Sequence, residues 1–248
     1  MKRLIVIDTE TTGLFEDGEP EPRVVEVAAV ELALGRGKAW EVGSFLHTLV
    51  NPGIAIPATA RAVHHISDAD VKKAPLLREV LLGPWGLFVR GEQKAAHNAA
   101  YDARLFPSGP QWICTWRCAR HVWPDLPSHG NQVIRYTVPG VAEAIEGYLA
   151  ALPKKVRDLP PHRALPDAVV TAHVLLALLR ERGAEELLDL TQAPILERTI
   201  RFGMHRGTPW AEVPASYLQW ILRQNEANPD AWDRDVVHTA EHHYRSHR

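Results

Sequence analysis

Residues 4–14 read Leu4-Ile5-Val6-Ile7-Asp8-Thr9-Glu10-Thr11-Thr12-Gly13-Leu14, an apolar run that ends in two carboxylates. A short, largely β-branched run of this kind predicts a buried central strand. Asp8 and Glu10 stand two apart, so an extended chain projects both from the same face. Side by side on a buried strand they repel each other and lose hydration, a penalty that a cation removes. Oxygen donors of this type suit Mg²⁺ or Mn²⁺ better than zinc. On this stretch alone the alternative, a polar strand end whose side chains face water, stays open.

Working outward, two further stretches carry acids and histidines. His97-Asn98-Ala99-Ala100-Tyr101-Asp102 follows an apolar stretch, and a helix is predicted from Asn98 to Phe106 with Asp102 in its first turns. His162-Arg163-Ala164-Leu165-Pro166-Asp167-Ala168 opens the strongest helical pattern in the chain, Leu165 to Leu179. Ala168, Ala172, Leu175, Leu176 and Leu179 form its apolar stripe. Asp167 falls in the first turn, where the helix dipole favours negative charge.

Taken together, these stretches resemble the three motifs of the DEDD family of 3′-to-5′ exonucleases, in the DnaQ-like branch with a catalytic histidine (DEDDh). Asp8 and Glu10 match the first motif, Asp102 the second, and His162 with Asp167 the third; the five-residue step from His162 to Asp167 is that branch's spacing. Trp112-Ile113-Cys114-Thr115, Ala119-Arg120 and Trp123-Pro124 are similar to a segment of the bacterial exodeoxyribonuclease X group. So is Phe202-Gly203-Met204-His205-Arg206-Gly207, with Met204 where that group has a lysine.

The resemblance implies an α/β, ribonuclease H-like fold: a mixed five-stranded sheet flanked by helices, with a small C-terminal appendage. It implies that Asp8, Glu10, Asp102 and Asp167 hold two Mg²⁺ (or Mn²⁺) ions per active site and that His162 is the general base. Thr11, Gly13, Leu14, His64 and Asn98 would contact substrate. Gly13 allows close backbone approach to the terminal nucleotide, and Leu14 resembles the family's apolar wedge. His64 lies in Val63-His64-His65-Ile66-Ser67, similar to a Val-His-Gly-Ile-Thr segment near the bound strand; packing ahead of a helix at Ser67 is an equally weighted reading.

The implied activity is hydrolysis of DNA from the 3′ end to 5′-mononucleotides, in DNA repair or proofreading. The implied partners are single-stranded DNA or frayed 3′ ends of duplex DNA. An exoribonuclease trimming RNA 3′ ends is an alternative, and so is a strand-end binding module without catalysis. The intact acidic set speaks against the second.

Length and composition bound the rest. A chain of 248 residues fits one sizeable domain with an appendage, divided here as an exonuclease domain over 1–184 and a small exonuclease X-like module over 191–248. A net charge of −2 excludes a globally basic nucleic-acid binder. Local phosphate contacts remain open to Lys154-Lys155-Val156-Arg157; Lys72-Lys73 reads as solvated surface. No apolar stretch reaches membrane-span length, and the strand at the N-terminus leaves no room for a signal peptide, so a cytoplasmic, non-membrane protein is expected. Cys114 and Cys118 predict buried thiols, since no further cysteine completes a zinc set. His238, His242, His243 and His247 read as a solvated helix end. Homodimerisation stays open.

Further strands are predicted at Val24–Val30 and Ser44–Val50, forming an antiparallel meander with the first. Glu26, inside the second strand, reads as an ordinary strand residue. Leu87–Val89 and Lys94–His97, around a turn at Gly91, read as one more strand-like element. In the tail, Tyr217, Leu218, Ile221 and Leu222 give a helix one apolar face.

Overall fold

A computed structural model describes residues 2–16, 18–106 and 111–247. Five strands form one mixed sheet in the order β3-β2-β1-β4-β5. They are β1 (Arg3–Thr11), β2 (Val24–Leu34), β3 (Trp40–Leu49), β4 (Gln93–Ala96) and β5 (Ile113–Cys114). β1 is central, antiparallel to β2 and parallel to β4; β3 pairs antiparallel with β2, and β5 parallel with β4.

Leu4 to Ile7 are wholly buried, and their alternation feeds two cores. Leu4 and Val6 join Leu165, Ala168 and Ala172 of the long helix Ala164–Glu181. Ile5 and Ile7 join Trp85, Val89 and Ala99 on the other face. A strand covered on both faces needs this uninterrupted apolar run.

One sequence expectation is corrected here. Leu87-Phe88-Val89 lies not in a strand but in the helix Pro84–Val89, which starts on a proline and buries Trp85, Gly86 and Val89. Proline suits the first helical position because its fixed φ is already helical and its missing N–H has no partner to lose there. A side chain at Gly86 would collide with the Leu81 carbonyl, so only glycine lets this helix pack on the end of Leu77–Leu82. The second half of the expected element stands as β4.

Two compact units divide the chain, Met1–Thr191 and Gln192–Arg248. The first runs past the edge at 184 read from the sequence. Its last helix, Ala184–Gln192, buries Leu187, and the Thr191 hydroxyl accepts a 2.9 Å hydrogen bond from the Cys114 amide. Cys114 and Cys118 are both free and buried, with the Cys118 thiol 3.2 Å from the Leu187 carbonyl. The second unit has its own core of Ile200, Trp210, Leu218, Ile221 and Val236, built on the helices Ala215–Ala227 and Arg234–Ser246. Phe202 stacks on Trp232 with ring centroids 4.4 Å apart. Gly203 has φ +63°, a conformation that favours glycine, and a Cβ there would have to displace the Tyr217 hydroxyl. Among the described residues no helix is long and apolar enough to cross a membrane.

Candidate active site

Asp8 and Glu10 sit near the end of β1 on the face covered by the helix Ala164–Glu181, whose first turn carries Asp167. One carboxylate oxygen from each of Asp8, Glu10 and Asp167 lies within 4.8 Å of the others. Asp102 stands outside this trio because it arrives from the opposite face. It is buried on the helix Ala99–Leu105, and the hydroxyl of Thr9, which alternates away from Asp8 and Glu10, donates to it at 2.8 Å.

Crowding and burial dominate the electrostatics. Burial, then the charges of Asp102, Asp167 and Glu10, pushes the Asp8 carboxyl well above its usual range. Glu10 is pushed up to about 8 by burial and by the Asp167 and Glu26 charges. Burial raises Asp102 to about 7 against the Thr9 hydrogen bond, and raises Asp167 against the opposing pull of His162. Four acids that can ionise together only with added positive charge are a donor set fitted to hard divalent cations.

His162 lies two residues before the helix start, with a left-handed φ of 59°. Its side chain is 66% exposed, and Nδ1 lies 4.0 Å from an Asp167 oxygen. The next residue, Arg163, reaches back into the sheet. Its Nε and Nη2 donate to the two oxygens of Glu26 at 2.9 and 2.6 Å, and the Ala164 amide donates to the same carboxylate at 3.0 Å. Burial alone would raise the Glu26 pKa; the His47 and Arg163 interactions prevail and hold it below its ordinary value. Glu26 is therefore no ordinary strand residue: it opposes Glu10 in the β1–β2 register and anchors the helix that carries Asp167. An acid inside an apolar strand was the only sign of this in the sequence.

On the expected substrate side, the Thr11 and Tyr101 hydroxyls each lie 2.7 Å from the Gly13 carbonyl and fix the loop that follows β1. Tyr101 and Thr9 are contributors that the sequence reading missed. Leu14 is 66% exposed. His64 is buried, and its Nδ1 accepts from the Ile66 amide at 3.0 Å. The neutral ring then carries its proton on Nε2, which is buried, and the ring also interacts with the Thr11 backbone. Asn98 is exposed and left-handed, one residue ahead of the helix that holds Asp102. Lys154 pairs with Asp158 within its own helical turn.

Comparison with known proteins shows the family. Residues 5–175 match the RNase T-type exonuclease family model. The chain is 31% identical to exodeoxyribonuclease 10 of Escherichia coli K12 over 246 residues, 97% of this chain and 98% of that one. It is 36% identical over 177 residues to a DNA polymerase III subunit epsilon-like protein of Rhodobacter capsulatus, 71% of this chain and 23% of the relative. Among solved structures, exonuclease X in complex with 5′ overhanging duplex DNA superposes with a TM-score of 0.59 and 31% identity, covering 76% of this chain and 99% of that one.

Proposed function

The chain belongs to the RNase T-type exonuclease family as a 3′-to-5′ exonuclease, and from that premise we propose that it hydrolyses DNA from the 3′ end to 5′-mononucleotides at the carboxylate cluster. The observation that carries the reading is the convergence of Asp8, Glu10 and Asp167 oxygens within 4.8 Å of one another. DNA is favoured over RNA because the relative similar over nearly its whole length is named an exodeoxyribonuclease. A role in DNA repair or proofreading accords with such an activity.

Asp8, Glu10, Asp102 and Asp167 would hold two Mg²⁺ or Mn²⁺ ions, which when bound neutralise phosphoryl charge and assist both the attacking water and the leaving 3′-oxygen. His162, exposed beside Asp167, takes the proton of the attacking water as a neutral imidazole. Asp167, near Nδ1, orients that ring. His64, whose ring interacts with the Thr11 backbone under the loop that follows β1, supports the surface that the bound strand contacts. At Gly13 a Cβ would meet nothing within 4 Å and φ is not left-handed, so the fold does not need glycine there. Its smallness serves the approaching nucleotide. Leu14, exposed beside it, packs on the terminal base of a single strand or frayed duplex end. Asn98 and Thr11 complete the rim.

The test is a degradation assay on matched single-stranded DNA and RNA with free 3′-hydroxyls. Chelator should stop the reaction, Mg²⁺ or Mn²⁺ should restore it, and the products on DNA should be 5′-mononucleotides. Full activity in chelator would overturn the metal reading. Faster loss of RNA would reassign the substrate, and cleavage of circular single strands at a comparable rate would exclude an end-directed enzyme.

A further inference from the structure

A cleft of about 360 Å³ is lined in part by Phe15 and Arg104, close in the chain to Glu10 and Asp102, and takes no part in the chemistry above. Among the described residues Arg23, Arg78 and Arg104 line it with Glu21, and Phe15 stands in its wall. The Arg104 guanidinium lies over the Phe15 ring, 3.7 Å from its centroid, and Phe15 meets Tyr101 edge-on at 5.2 Å. Arg23 is fixed through its amide, which donates to the Thr12 hydroxyl at 2.9 Å, and through Nη1, which donates to the Pro52 carbonyl at 3.1 Å. Arg78 is exposed and has no ion-pair partner among the described residues.

The cleft is joined to the carboxylates but faces another way. Asp102 and Arg104 are two residues apart on one helix, about 200° around its axis. That helix turns its carboxylate to Thr9 and its guanidinium to Phe15. The loop Thr12–Phe15 starts just after Glu10 and ends in the cleft wall, with exposed Leu14 between.

We propose that this cleft binds the phosphodiester backbone of the strand that is not cut when the end presented is a duplex; this rests on the exonuclease reading above. The cut strand must bring its 3′ end to Asp8 and Glu10, so a strand seated in the cleft leaves it at Leu14. Guanidiniums are planar, forked donors matched to phosphate oxygens. In a protein of net charge −2, three of them around one cleft form a local feature, not part of a general cationic field. The Phe15 ring, covered on one face by the Arg104 guanidinium, adds an aromatic surface to the wall for an unpaired base.

The test uses the full chain with Arg78→Glu and Arg78→Lys. Binding is measured by fluorescence anisotropy in chelator, on a duplex with a recessed 3′ end and a 5′ extension, and on the same 3′ strand alone. Arg78→Glu should weaken duplex binding about tenfold and lower the salt slope of log K by about 1, with single-strand affinity nearly unchanged. Arg78→Lys should keep most of the duplex affinity. Equal losses on both substrates would place the cut strand in the cleft and overturn the proposal, as would no change on either. Failure of the unaltered protein to degrade either substrate in Mg²⁺ would overturn the exonuclease reading instead, while the binding comparison still decides the cleft.

Discussion

Glu10 near 8 and Asp102 near 7 stand far above their ordinary 4.5 and 3.8, so the folded chain holds these protons more tightly than the unfolded chain does. Stability from such groups is fully present below the unfolded values and is lost as pH climbs through the folded ones. In chelator the thermal midpoint should therefore fall between about pH 5 and about pH 8.5, and Mg²⁺ should restore it at the alkaline end. A midpoint that rises over that range would contradict the assignment. By the same argument Asp8→Asn should abolish turnover yet raise the midpoint in chelator near pH 8, on a scale of about 2–4 °C for each kcal/mol of repulsion relieved. His162→Ala should cut turnover by about 10²- to 10⁴-fold, the usual loss for a positioned base. DNA affinity should change little, and the residual rate should rise with hydroxide concentration. Near-normal turnover at neutral pH would leave His162 a structural residue.

Between Glu26 and the helix Ala164–Glu181 runs the contact that sets where Asp167 sits. Glu26→Ala strands the Arg163 guanidinium beside an apolar strand, and loss of one partner of a buried pair costs about 3–5 kcal/mol. The variant should melt lower and lose turnover even where it remains folded. If instead it melts lower while kcat is intact, the anchor is structural only. None of this was legible in the sequence, because Glu26 and Arg163 are 137 residues apart and an acid in a strand shows only its position, not its partner. β1 was legible because four consecutive buried apolar residues leave a strand little freedom of face. The helix Pro84–Val89 was misread because Leu87-Phe88-Val89 is too short to show either period, and the deciding signals were Pro84 and Gly86. Asp167 and Asp102 were legible as motif members; that Asp102 approaches from the far face, through Thr9, was not.

The division of the whole chain bears on where it can be cut. A chain ended at Gly183 loses Leu187 from the core and the Thr191 hydroxyl from the Cys114 amide, whereas one ended at Gln192 keeps both. The longer fragment should be soluble and melt cooperatively; the shorter should melt lower by the loss of a fully buried leucine, about 1.5–3 kcal/mol, and more. Equal midpoints would show that the helix Ala184–Gln192 adds nothing to the first unit. The same helix covers the Cys118 thiol, which lies against the Leu187 carbonyl, and burial pushes it up to about 12; the Cys114 side chain is buried in the core on the other face of the sheet. A thiol that cannot ionise while folded reacts with an alkylating reagent only during rare excursions that expose it. Both cysteines belong to the first unit, so the alkylation rate of the intact chain is a stopwatch for the opening of that unit, read without cutting the chain.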